Sequence, residues 1–120
     1  MELTVTKEAS KKLSPYLIDS KYDLLLDFDD GVGSLSKVGV CSLDSNFRVV
    51  AVKHGDYAKD YNEVLESNVG PFRYKDYSDM YMDKVMRLEL NPNNQMLRLI
   101  GNGSGELTAS VALLDMSTQA

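Results

Sequence analysis

Three leucines, Leu24, Leu25 and Leu26, stand side by side in the segment YDLLLDF. Successive side chains of a strand point to opposite faces, so such a run needs cover on both sides of its sheet. The strand predicted over Tyr22 to Phe28 is followed by Asp29-Asp30-Gly31, a turn signal. The chain then crosses a glycine-punctuated loop and reaches Cys41, its one cysteine. Whatever the protein does, the stretch from Tyr22 to Cys41 is expected to take part.

The other segments follow from local pattern. Glu2 to Thr6 alternates and predicts a short strand, with Leu3 and Val5 on one side. Thr6 is placed to cap a helix, and Glu8 suits the positive end of its dipole. Ala9, Leu13, Tyr16 and Leu17 continue at helical spacing, which predicts a helix from about Lys7 to Ile18 that Pro15 disturbs near its end. Ser34 to Ser42 is ambiguous, with a strand plausible around Val38 and Val40. Phe47 to Lys53, FRVVAVK, is the clearest β segment because it is rich in β-branched residues. His54 to Asn62 is polar and turn-like. Short strands are expected at Glu63–Ser67 and Phe72–Lys75, and a helical turn between Asp76 and Asp83. Val85–Leu90 and Met96–Ile100 flank Asn91-Pro92-Asn93-Asn94 and predict a hairpin. Leu107 to Leu114 adds a last strand after Gly101-Asn102-Gly103-Ser104-Gly105. Many short strands with one helix predict a mainly β, α+β fold: a β-sandwich of short, mostly antiparallel strands with the helix packed alongside.

With 120 residues, a single domain over 1–120 is expected, large enough to fold without disulfides or metal. One cysteine excludes an internal disulfide framework and a multi-thiolate zinc site within the chain. The net charge of −5 argues against nucleic-acid or anionic-membrane partners, which need a positive field. Lys7, Lys11 and Lys12 form a small basic group that reads as a solvated helix face. The N-terminus lacks the pattern of a signal peptide, and apolar runs fall far short of the roughly 20 residues of a membrane span. A cytoplasmic, soluble protein is the expectation.

Several motifs tempt and fail. Asp27-Phe28-Asp29-Asp30-Gly31 opens like a calcium loop, but its fifth, sixth and twelfth positions are Gly31, Val32 and Val38, where a ligand, glycine and glutamate are needed. Gly31-Val32-Gly33 with Ser36-Lys37 lacks the glycine before the lysine and the helix after it that a phosphate loop requires. His54, the one histidine, reads as an exposed residue of a polar turn. A thiol enzyme would have to pair it with Cys41. Cys41 itself reads by default as a small, partly buried hydrophobe. The seven tyrosines include Tyr57/Tyr61 and Tyr77/Tyr81, each pair four apart. They suit either sheet-edge packing or a partner surface.

The order TVT, KEASKKL, LLLDF, a glycine-rich loop, FRVVAV, YMDKVMRLEL and QMLRLIGNGSG resembles the HesB-like iron–sulfur cluster biosynthesis family, the A-type carriers. DDGVGSLSKVGVC and the late YMDK…LRLIGNGSG segment are similar to a branch of that family found in Gram-positive bacteria. The resemblance covers nearly the whole chain and implies a β-sandwich with a helix at its side. It also implies three cysteine ligands for iron or a cluster: one in the loop after the LLLDF strand, and a Cys-x-Cys near the C-terminus, shared between subunits. Here the first slot, about Gly31 to Ser34, holds no cysteine. The second, Ser104-Gly105-Glu106-Leu107-Thr108, holds none either.

Clusters are normally held by about four thiolates, and carboxylates such as Asp29 or Asp30 are poor substitutes for a soft cluster. The expectation is therefore a non-enzymatic binding or accessory module with no cofactor and no metal site. Its implied partners are iron–sulfur assembly or client proteins, or copies of itself. The alternative is a carrier of iron or an iron–sulfur cluster that uses Cys41 from two or more subunits.

Overall fold

A computed structural model describes residues 1–17, 21–28 and 47–117. Eight strands run β1 (Glu2–Val5), β2 (Tyr22–Phe28), β3 (Phe47–Lys53), β4 (Glu63–Ser67), β5 (Phe72–Tyr74), β6 (Val85–Leu90), β7 (Leu97–Gly101) and β8 (Gly105–Asp115). One helix, α1 (Lys7–Leu17), follows β1, and a 3₁₀ helix covers Asp76–Tyr81. The strands close in the order β1-β4-β5-β2-β3-β8-β7-β6, with β6 pairing back onto β1.

This closure corrects the expected β-sandwich: the fold is mainly β, but it is a closed barrel. The strands are not mostly antiparallel either. The pairs β2–β3, β4–β5, β6–β7 and β7–β8 are antiparallel, whereas β1–β4, β1–β6, β2–β5 and β3–β8 are parallel. Parallel pairs join strands without a tight turn, so no local signal announces them. Four such pairings turn a set of hairpins into a ring.

The β1–β4 seam is short: Glu2 opposes Glu66 and Leu3 opposes Ser67. Asn68 lengthens it. Its Oδ1 accepts from Val5 N–H at 2.7 Å, and its Nδ2 donates to Val5 C=O at 3.0 Å. The side-chain amide thus serves both backbone groups of Val5 and stands in for one more strand residue.

The main core draws alternate residues from every strand, among them Leu3, Val5, Leu24, Leu26, Val49, Leu65, Phe72, Leu88, Leu99 and Val111. Ala9 and Leu13 of α1 join it. Thr6 caps the helix as its position predicts, its Oγ1 accepting from Ala9 N–H at 3.3 Å. Pro15 lies within α1. Its ring nitrogen cannot bond the carbonyl of Lys11, which instead accepts from the Ser14 hydroxyl at 2.8 Å.

The consecutive leucines bury on two sides, as expected. Leu24 and Leu26 face the main core, while Leu25 joins Val50, Val52 and Tyr61 in a second cluster. That cluster forms because the 54–62 connection folds back on the other face of β2 and β3. Tyr57, Leu114 and Met116 pack around it.

Candidate functional site

The site begins where β2 ends. Asp27 is 1% exposed, with Arg48, Lys75 and Tyr61 around it, all buried. Register sets Arg48 directly across from Asp27 on β3, and its Nε donates to Asp27 Oδ2 at 2.6 Å. Tyr61 Oη donates to Asp27 Oδ1 at 2.5 Å, and Lys75 Nζ lies 3.4 Å from the same oxygen. Burial first, then the charge on Asp27, pushes the Tyr61 phenol well above its ordinary range, which keeps it a donor. Asp27 is therefore a buried anchor for three donors, unlike the solvated ligand of a calcium loop.

From Lys75 the chain runs through Asp76–Tyr81 towards Asp83. The 3₁₀ helix that follows brings Tyr81 onto Phe28, the rings stacked 4.1 Å apart and 8° from parallel. Phe28 in turn meets Phe47 edge-on at 5.0 Å. Tyr77, Met80 and Tyr81 are exposed large side chains on this short helix. The spacing of Tyr77 and Tyr81 thus marks a surface feature, while Tyr61 of the other pair is core.

Two residues beyond Tyr81, Asp83 reaches the turn between β7 and β8. Its Oδ2 accepts from the backbone N–H groups of Gly103 and Ser104 at 2.9 and 2.8 Å, and its Oδ1 accepts from the Ser104 hydroxyl at 2.7 Å. The Ser104 hydroxyl, followed by the two backbone donors, holds the Asp83 carboxyl below its ordinary value. Gly101 makes room: a Cβ there would lie 2.0 Å from Asp83 Oδ2. Gly105 has a positive φ of 75°, which suits glycine at the exit of the turn. The glycine-rich composition reads locally as a flexible turn, whereas the fold shows a turn tied to a carboxylate some twenty residues away.

The segment from Lys75 to Asp83 thus links three places: Asp27 at the end of β2, Phe28 beside it, and the Gly101–Gly105 turn. Sequence reasoning missed Lys75, Tyr61 and Asp83. Asp83 left a trace in YMDK, which belongs to the similarity with the family, and Tyr61 only in its spacing from Tyr57. Cys41, Asp29, Asp30, the Ser34–Ser42 strand and the glycine motif of 31–37 lie outside the described residues. His54 is 71% exposed, as expected, but its Nδ1 sits 2.8 Å from Asp23 Oδ1. Lys12 of the basic helix face donates to the Gln95 carbonyl at 2.6 Å, and Lys7 and Lys11 are exposed.

The profile of the iron–sulphur cluster biosynthesis family matches residues 1–115, and the chain belongs to that family. It is similar to a solved protein from Lactobacillus salivarius, provisionally assigned to Fe–S biosynthesis and described as having a novel fold. The identity is 57%, over 98% of this chain and 99% of that one, with a TM-score of 0.89. A second such protein, from Lactobacillus acidophilus, shares the fold at a TM-score of 0.70 and 19% identity, over 96% of this chain and 90% of that one. A search of curated proteins finds no match.

Among the described residues, no thiol stands at the 101–105 turn. Around the 101–105 turn the groups present are backbone N–H, one serine hydroxyl and a carboxylate already accepting three hydrogen bonds. Among the described residues no three His, Cys, Asp or Glu side chains converge as a metal site. Nor, among those residues, is any helix long and apolar enough to cross a membrane.

Proposed function

We propose that this member of the iron–sulfur cluster biosynthesis family works as a non-enzymatic binding or accessory module and does not grip a cluster through its own thiolates. One observation carries the reading. The Gly101–Gly105 turn, where the resemblance puts the family's C-terminal cysteines, is closed on Asp83, with three hydrogen bonds and no room for a side chain at position 101. A closed carboxylate-held turn is built for a fixed shape, not for exchanging a soft, thiolate-seeking cargo. The exposed Tyr77, Met80 and Tyr81 support a role in contacting an assembly or client protein. Anaerobic incubation with iron and sulfide should leave the protein without a stable visible chromophore; a coloured product that survives desalting overturns the reading.

The second reading, a carrier using Cys41 from two or more subunits, is favoured by the single thiol in the chain. It requires that Cys41→Ser abolish any iron or cluster retained after reconstitution. Retention unchanged by that substitution removes it.

A further inference from the structure

At the opposite end of the β2–β3 ladder from Asp27 lies a cleft of about 480 Å³ lined by Lys21, Tyr22, Lys53, His54 and Ser117. We propose that this cleft binds a small oxyanion, a phosphate or carboxylate group borne on a compact molecule. Register brings its walls together. Tyr22 opposes Lys53 as the last pair of the ladder. His54 N–H donates to the Lys21 carbonyl at 2.8 Å and fastens the two strand ends beyond it. Met116 N–H donates to the Ala51 carbonyl at 2.8 Å, which extends the β3–β8 pairing and delivers Ser117.

The chemistry of the lining is one-sided. Among the described residues, two ammonium groups, an imidazole and a phenol line the cleft and no carboxylate does, in a chain whose net charge is −5. Two nearby acids, Asp23 and Asp115, hold residues of the lining in place. Asp23 accepts from Gly55 N–H at 2.8 Å and holds His54 Nδ1 at 2.8 Å, leaving Nε2 as the remaining polar atom of the ring. Asp115 accepts from both Ser117 N–H and the Ser117 hydroxyl, at 3.0 and 2.6 Å. The Ser117 contacts, hydroxyl first, hold the Asp115 carboxyl below its ordinary value, so it remains a fixed partner. The Tyr22 ring is itself positioned: Lys21 Nζ lies 5.6 Å from its centroid, and Tyr16 meets it edge-on at 5.3 Å. An aromatic wall with lysines in the same lining suits an anion on a small apolar body.

The test is an amide NMR titration of the full chain at constant ionic strength, with inorganic phosphate in one arm and citrate in the other. The expected result is saturable shifts centred on residues 21–22, 53–54 and 117 in at least one arm. Saturation by phosphate alone assigns phosphate chemistry, and by citrate alone carboxylate chemistry. Lys53→Gln and Lys21→Gln, both at exposed positions, should each weaken binding about fivefold. Lys12→Gln, on the helix, should leave it unchanged. Shifts that rise linearly in both arms, or that persist in both cleft variants, overturn the proposal.

Discussion

Asp83 Oδ2 occupies the space that a side chain on residue 101 would need, 2.0 Å from the position of its Cβ. The two residues are therefore coupled: Gly101 is required because Asp83 is there, and Asp83 shapes the turn because Gly101 admits it. Gly101→Ala should expel the carboxylate, release its three hydrogen bonds and lower the melting temperature. In an Asp83→Ala background the same glycine change should cost less than about half as much, because neighbouring sites that share one interaction are non-additive. Equal costs in the two backgrounds would show that the residues act independently.

The Asp27 cluster gives a sharper stability prediction. Asp27→Ala leaves Arg48 and Lys75 buried without their shared carboxylate, and removing one partner of a buried ion pair costs about 3–5 kcal/mol. Tyr61→Phe removes one hydrogen bond to a charged acceptor and should cost about 1.5–3 kcal/mol. Urea unfolding of the variants measures both. A cost for Asp27→Ala below that of Tyr61→Phe would contradict the anchoring role.

Barrel closure rests partly on Asn68. Asn68→Ala deletes two hydrogen bonds to Val5 at the short β1–β4 seam, for a loss of about 1–2 kcal/mol. The distinguishing readout is hydrogen exchange: the Val5 amide should lose protection while the β2–β3 ladder keeps its own. Unchanged protection at Val5 would mean that the side chain does not close the seam.

Acid should weaken the protein from the carboxylates. Asp83, Glu89 and Asp115 are all held below their ordinary values by hydrogen bonds, in the case of Glu89 from Arg87 and then Arg98. A depressed folded value contributes stability above the unfolded value, near pH 4 for carboxylates, and that contribution vanishes as pH falls through the folded value. The melting-temperature gap between the natural chain and Asp83→Asn should be full above about pH 5 and shrink steadily below about pH 4. A gap that stays constant through the acid range would place its origin outside ionisation.

Local structure was largely legible in the sequence, and tertiary closure was not. The β-branched FRVVAVK, the Thr6 cap and the Asn91–Asn94 turn each act within a few residues, and β3, α1 and the β6–β7 hairpin appear where they predict. The barrel depends on parallel pairings such as Glu2 with Val85 and Arg48 with Ala112, between residues far apart in the chain. The same holds for the site. Tyr61 lies in a polar stretch that reads as a turn; it is buried because its ring packs on Leu25, Val50 and Val52 and its hydroxyl finds Asp27, 34 residues away. The GNGSG turn shows its glycines in the sequence but not the carboxylate that holds it.

The most direct measurement is iron and acid-labile sulfide per chain, with a visible spectrum, on protein purified without oxygen. A module whose late glycine turn is closed by Asp83 should come through colourless, with iron far below one per chain. Brown protein carrying iron and sulfide in proportion to chain, and keeping them through gel filtration, would contradict the account.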